Sequence, residues 1–168
     1  MKKVLATLLV FIIIFFSSCS KERTFGIQQF TERMNKAYST DLQTSDFILG
    51  KHNDDTFMFL SEGSSLISLS IDSKNYIKSI SLLITADGDI SNAQITYCQM
   101  CSIFTGNDYE GQMKIFTESD FFNESIKFAD GNSLITVGRY KYTIVCNDYS
   151  ITFMCNRIYL HSVILCAT

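Results

Sequence analysis

Between Tyr140 and Cys155 apolar and polar side chains take turns with few exceptions, and that alternation limits what the chain can become. Successive side chains of an extended strand point to opposite faces, so a period of two marks a strand with one buried face. If the chain reverses at Asn147-Asp148, a composition suited to a two-residue loop, then Cys146 faces Tyr149, Ile144 faces Ile151, Tyr142 faces Phe153 and Tyr140 faces Cys155. All eight side chains then share one face. Lys141, Thr143, Ser150, Thr152 and Asn156 take the other. Such an apolar face is stable only when another layer covers it.

Four further segments, 46–51, 56–60, 66–72 and 76–85, are rich in Phe, Ile and Leu and are separated by turn compositions such as Ser61-Glu62-Gly63-Ser64. They predict an antiparallel meander. Ile67, Leu69 and Ile71 alternate with Ser68 and Ser70, and Ile80, Leu82 and Ile84 alternate with Ser79, Ser81 and Leu83, so one sheet face is apolar and the other serine-rich. Helical spacing supplies the cover. Phe25, Ile27, Phe30, Met34 and Tyr38 predict a helix over 25–38 with Thr24 as its N-cap. Ile90, Ala93, Tyr97, Cys101 and Phe104 predict a second, capped by Asp89 and ended by Gly106. A shorter helix is expected over 109–116, while 119–128 fits neither period. The order is that of an α+β fold: an antiparallel sheet of about six strands, a four-strand meander plus a C-terminal hairpin, with helices on one face. The second helix is expected across the hairpin, bringing Cys101 towards a strand cysteine.

Tyr97-Cys98-Gln99-Met100-Cys101 contains a CxxC spacing. A redox-active pair needs a thiol of lowered pKa, usually at a helix N-terminus, and this pair lies eight or more residues inside its helix. A zinc site needs two more ligands at short spacing. Cys146 and Cys155 are nine residues apart on strands, and His52 and His161 stand alone. Cys98, Cys101, Cys146 and Cys155 are therefore expected as buried thiols or disulfide partners. Asp54-Asp55 and Asp87-Gly88-Asp89 lack the ligand series of a calcium loop, and Glu62-Gly63-Ser64-Ser65 lacks the second glycine of a nucleophile elbow. No catalytic, cofactor-binding or metal-binding residue is assigned, and no cofactor is expected.

At the N-terminus Lys2 and Lys3 precede an uncharged run over 4–16, then Ser17, Ser18 and Cys19. About 20 apolar residues are needed to span a bilayer, so this run is short for a membrane anchor and suited to a secretory signal. Phe16-Ser17-Ser18-Cys19 resembles the processing site of bacterial lipoproteins. The resemblance implies a signal peptide over 1–18, a diacylated Cys19, a polar tether completing 19–24, and a single domain over 25–168. It implies attachment through lipid to the outer face of the cytoplasmic membrane or to the outer membrane. Cleavage there leaves 12 basic residues against 17 acidic ones, a formal charge of −5 over 150 residues, with no basic run to hold nucleic acid. The function expected is non-catalytic binding of a protein, peptide or glycan through a sheet edge or the serine-rich face. The competing expectation is an exported or tethered enzyme, with the CxxC pair as its only hint.

Overall fold

The computed structural model of the protein describes residues 25–52, 55–85, 87–122 and 131–158. Cys19, Thr24 and His161 lie outside these residues. The elements run α1 (Ile27–Tyr38), a 3₁₀ turn (Thr44–Asp46), β1 (Ile48–His52), β2 (Asp55–Glu62), β3 (Ser65–Ile71), β4 (Ile77–Thr85), α2 (Ile90–Thr105), α3 (Tyr109–Glu118), β5 (Gly131–Val137), β6 (Tyr140–Asn147) and β7 (Ser150–Arg157). Among the described residues the strands form one antiparallel sheet of seven, in the order β1-β2-β3-β4-β7-β6-β5. The expected meander and hairpin are both present, and β5 is a seventh, edge strand beyond them. After β4 the chain crosses to the far edge through α2 and α3, then returns by β5 and β6 until β7 lies beside β4. Two meanders thus meet at the β4–β7 seam, and the helices pack against one face of the sheet.

Local chemistry explains most of the boundaries. The Asp89 carboxylate accepts a 3.0 Å hydrogen bond from the Asn92 N–H, and Gly106, at φ 80°, closes the other end of α2 in the left-handed region that favours glycine. Asp108 caps α3 in the same way, accepting from Gly111 N–H at 2.6 Å. The first helix begins later than the periodicity indicates. The Phe25 carbonyl accepts the Ile77 N–H of β4 at 3.0 Å, which ties Phe25 to the sheet, and Gly26, in extended backbone, becomes the N-cap. Phe25 still packs inward, with its ring 6.5 Å from those of Phe30 and Phe104.

The hairpin has the expected core face but a different register. Cys146 pairs with Ile151, Ile144 with Phe153, Tyr142 with Cys155 and Tyr140 with Arg157, so the two-residue loop is Asp148-Tyr149. The Asn147 carboxamide oxygen accepts hydrogen bonds from the N–H groups of Tyr149 and Ser150, both at 2.9 Å, and fixes the reversal one residue later than expected. Because the pairing moves by two, every strand side chain keeps its face. Tyr149 alone changes role: it sits in the turn, 81% exposed, instead of joining the core.

The core lies between helices and sheet. Ile67, Leu69, Ile80, Leu82, Ile84, Tyr142, Ile144, Ile151, Phe153 and Cys155 supply its sheet side, and Phe30, Met34, Ala93, Tyr97, Cys101, Phe104 and Phe116 its helical side. Aromatic rings join the layers: Tyr97 lies 5.3 Å from Phe153 and 5.6 Å from Phe116, and Phe116 meets Tyr142 edge-on at 5.2 Å.

Candidate functional site

The four cysteines named from the sequence are free thiols, all buried within the layer between α2 and the sheet or beside it. They do not converge as a group of four. Cys98 faces α3 and donates through Sγ to the Tyr109 carbonyl at 3.9 Å. Cys101, three residues further on, faces the sheet, where the thiol of Cys155 and the hydroxyl of Tyr97 act on its own. Cys146 lies towards the loop end of β6, paired with Ile151 and remote in register from Cys155.

The electrostatics run against thiol chemistry at these positions. Burial pushes the Cys98 thiol up to about 12, and burial also raises Cys101, whose hydrogen bond with Cys155 adds to the effect. A thiol of pKa 12 is thiolate in about one part in 10⁵ at pH 7, too little for an attacking nucleophile. The CxxC spacing here is a consequence of helix packing: residues three apart share a helical side, and small sulfur side chains fill the space between α2, α3 and β7. Burial likewise raises Cys146, Tyr97 and Tyr142. Among the described residues no three His, Cys, Asp or Glu side chains come together as metal ligands.

A buried polar knot at the C-terminal end of α2 corresponds to no sequence motif. Gln112 of α3 is fully buried, and its Oε1 accepts from Thr105 Oγ1 and Asn107 Nδ2, both at 3.2 Å, and from the Tyr142 hydroxyl at 3.5 Å. It ties α3 to the end of α2 and to β6. Gln112 lies on the apolar side of α3, where a glutamine among Tyr109, Met113 and Phe116 was the available signal. Two shallow grooves also open on the surface, one of about 350 Å³ beside Asp89 and the β2–β3 turn, the other of about 450 Å³ between α1 and the 3₁₀ turn. Neither brings an acid and a base together.

The other feature the alternation left unmarked is the surface around β1. On β2, Met58 and Leu60 point into the core while Phe57 and Phe59 occupy the uncovered face, with ring centroids 5.8 Å apart. The Phe59 ring lies across Gly50 so closely that a Cβ there would come within 2.6 Å of it. Beside this pair the edge strand exposes Ile48 at 73% and Leu49 at 59%. Inward from Phe59 the register runs through Ser68, Ser81 and Met154, and inward from Phe57 through Ser70, Ser79 and Asn156. The expected serine-rich face is therefore present, with an aromatic pair at its β1 side, although Ser70 is buried rather than wet. The apolar residues on both sides of 56–60 are the sequence signal that this strand has two occupied faces.

No protein-family model, curated protein or solved structure matches the chain. Among the described residues no helix is long and apolar enough to cross a membrane.

The raised thiols set a pH dependence. A cysteine ionises in the unfolded chain near pH 8.5 to 9 but, at Cys98, only near 12 in the folded one, so the unfolded state holds fewer protons in between. The stabilisation is complete below the unfolded value and is lost as pH rises towards the folded one. Stability in urea should fall from about pH 9 upward, and Cys98→Ala should make that fall shallower. An unchanged slope in the variant would show that Cys98 ionises alike in both states.

Proposed function

We propose that the protein is a lipid-anchored component of a bacterial cell envelope that binds an extended segment of a partner polypeptide along β1, without catalysis. The anchor is supported by the N-terminal pattern ending in Ser17-Ser18-Cys19. The carrying observation for binding is the β1 edge, where Ile48 and Leu49 are both largely exposed at a strand with no described neighbour on its outer side. An open edge presents a row of backbone donors and acceptors, which proteins usually blunt with charge, proline or a bulge; on β1 the charge is Lys51, and it lies beyond the apolar Ile48-Leu49 pair. Here Ile48 and Leu49 project to opposite sides, and Ile48 adjoins Phe59. An added strand with alternating apolar side chains would gain main-chain hydrogen bonds and cover apolar surface on both sides, which is the logic of strand-addition recognition.

The anchor predicts that the mature chain begins at Cys19 and carries lipid, with Cys19→Ser accumulating as an unprocessed precursor. Buried acyl chains contribute ~0.8 kcal/mol per CH₂, enough in two or three chains for stable attachment. Intact mass of the membrane-extracted protein checks this, and a lipid-free mature chain would refute it.

The edge predicts that a peptide of alternating valine and threonine slows amide hydrogen exchange at Ile48–His52, and that Leu49→Lys weakens its binding by tenfold or more. Slowed exchange confined to other strands, or binding by soluble oligosaccharides and not by peptides, would overturn the strand-addition reading.

A further inference from the structure

Two independent contacts fix how α2 lies along β7. Near its middle the Tyr97 ring sits 5.3 Å from that of Phe153, and the Tyr97 hydroxyl donates to the Met154 carbonyl at 2.6 Å. At its C-terminal end the Phe104 ring lies 5.3 Å from the Arg157 guanidinium and 5.6 Å from the ring of Tyr140, the residue paired with Arg157. Helix and strand therefore run in the same direction. Four helical residues advance about 6 Å and two strand residues about 6.6 Å, so the step from Tyr97 to Cys101 matches the step from Phe153 to Cys155. Cys101 and Cys155 face each other between the two fixed points, both fully buried and near enough for the Cys155 thiol to raise that of Cys101.

The same geometry excludes the other two described cysteines. Cys98 is turned towards Tyr109 of α3. Cys155 stands opposite Tyr142 on β6, and Cys146 lies four residues, or about 13 Å, further along that strand, against the ~7 Å between Cα atoms that a disulfide tolerates.

We propose that Cys101 and Cys155 form a disulfide that ties α2 to β7 when the chain folds in an oxidising compartment, and that Cys98 and Cys146 remain thiols. The oxidant is a protein or small-molecule disulfide of the exchange systems found outside the cytoplasm. Its S–S bond and the two cysteine S–H bonds break, the Cys101–Cys155 bond forms, and two electrons and two protons leave with the oxidant as a pair of thiols. Exchange takes place on the incompletely folded chain, because the native packing seals both sulfurs. In the cytoplasm the same pair stays reduced and the domain folds on packing alone. This tie follows from the core and is independent of the binding proposed at β1.

The test is to unfold the full chain with reductant and refold it with reduced and oxidised glutathione in detergent. Free thiols are then blocked and tryptic peptides mapped with fragmentation to locate the bonded sulfurs. The expected product joins peptide 79–114 to peptide 142–157 through Cys101 and Cys155, persists in Cys98→Ala/Cys146→Ala, and is lost in Cys101→Ala. Closing a loop of this length should lower the unfolding equilibrium constant roughly a thousandfold relative to the reduced chain. A bond through Cys98, Cys146 or any other cysteine, or a refolded wild-type chain with all thiols free, would overturn the proposal; the wild-type map decides even if a variant fails to fold.

Discussion

The structure depends on α2 lying over the seam between β4 and β7, with the Tyr97 ring against Phe153 and its hydroxyl on the Met154 carbonyl. Strands β4 and β7 are the seam at which two meanders meet, and neither meander covers its own apolar face. One helix laid over that seam buries both. Its neighbours follow from it: α3 brings Phe116 onto Tyr97 and Tyr142, and the segment that enters α1 brings Phe25 onto Phe104. Each large side chain so buried contributes about 1.5–3 kcal/mol by removal from water, and aromatic pairing adds about 0.5–1.5 kcal/mol. The Tyr97 hydroxyl could not enter this layer without a partner, and the Met154 carbonyl provides one.

Covering one face leaves the other open, and the chemistry divides accordingly. All four described thiols lie on the covered side, and burial suppresses ionisation of Cys98, Cys101 and Cys146, so reactivity there is confined to the chain before it closes. The uncovered side carries small hydroxyl side chains, a stacked aromatic pair and an apolar edge strand. A recognition role on that side and a structural role for the thiols are thus two outcomes of one arrangement.

Much of this was legible in the residues, and the failures have identifiable physical causes. The caps of α2 are legible because Asp89 and Gly106 act on their own backbone neighbourhood. The core face of the hairpin was legible because parity survives a shift of two, whereas the turn position was not, since the Asn147 side chain selects it. The start of α1 depends on a hydrogen bond to Ile77, some fifty residues away, which no local pattern reports. Strand β5 has hydroxyl or amide side chains at Asn132, Ser133 and Thr136 and a weak alternation, because at the sheet edge neither face demands consistent burial. The pairing of β4 with β7 is a property of the crossover. The β1 surface is not legible, because apolar residues on both faces of a strand give the same pattern at an open edge as in a buried strand.

The contact between Tyr97 and Phe153 is where this account is most exposed to measurement. A double-mutant cycle of Tyr97→Leu and Phe153→Leu, followed by urea unfolding, isolates their coupling from the loss of either ring alone. The account predicts a coupling of about 1 kcal/mol, within the 0.5–3 kcal/mol seen for residues in contact. Losses that add to within ~0.3–0.5 kcal/mol would mean that the two rings do not meet, and that α2 does not lie along β7.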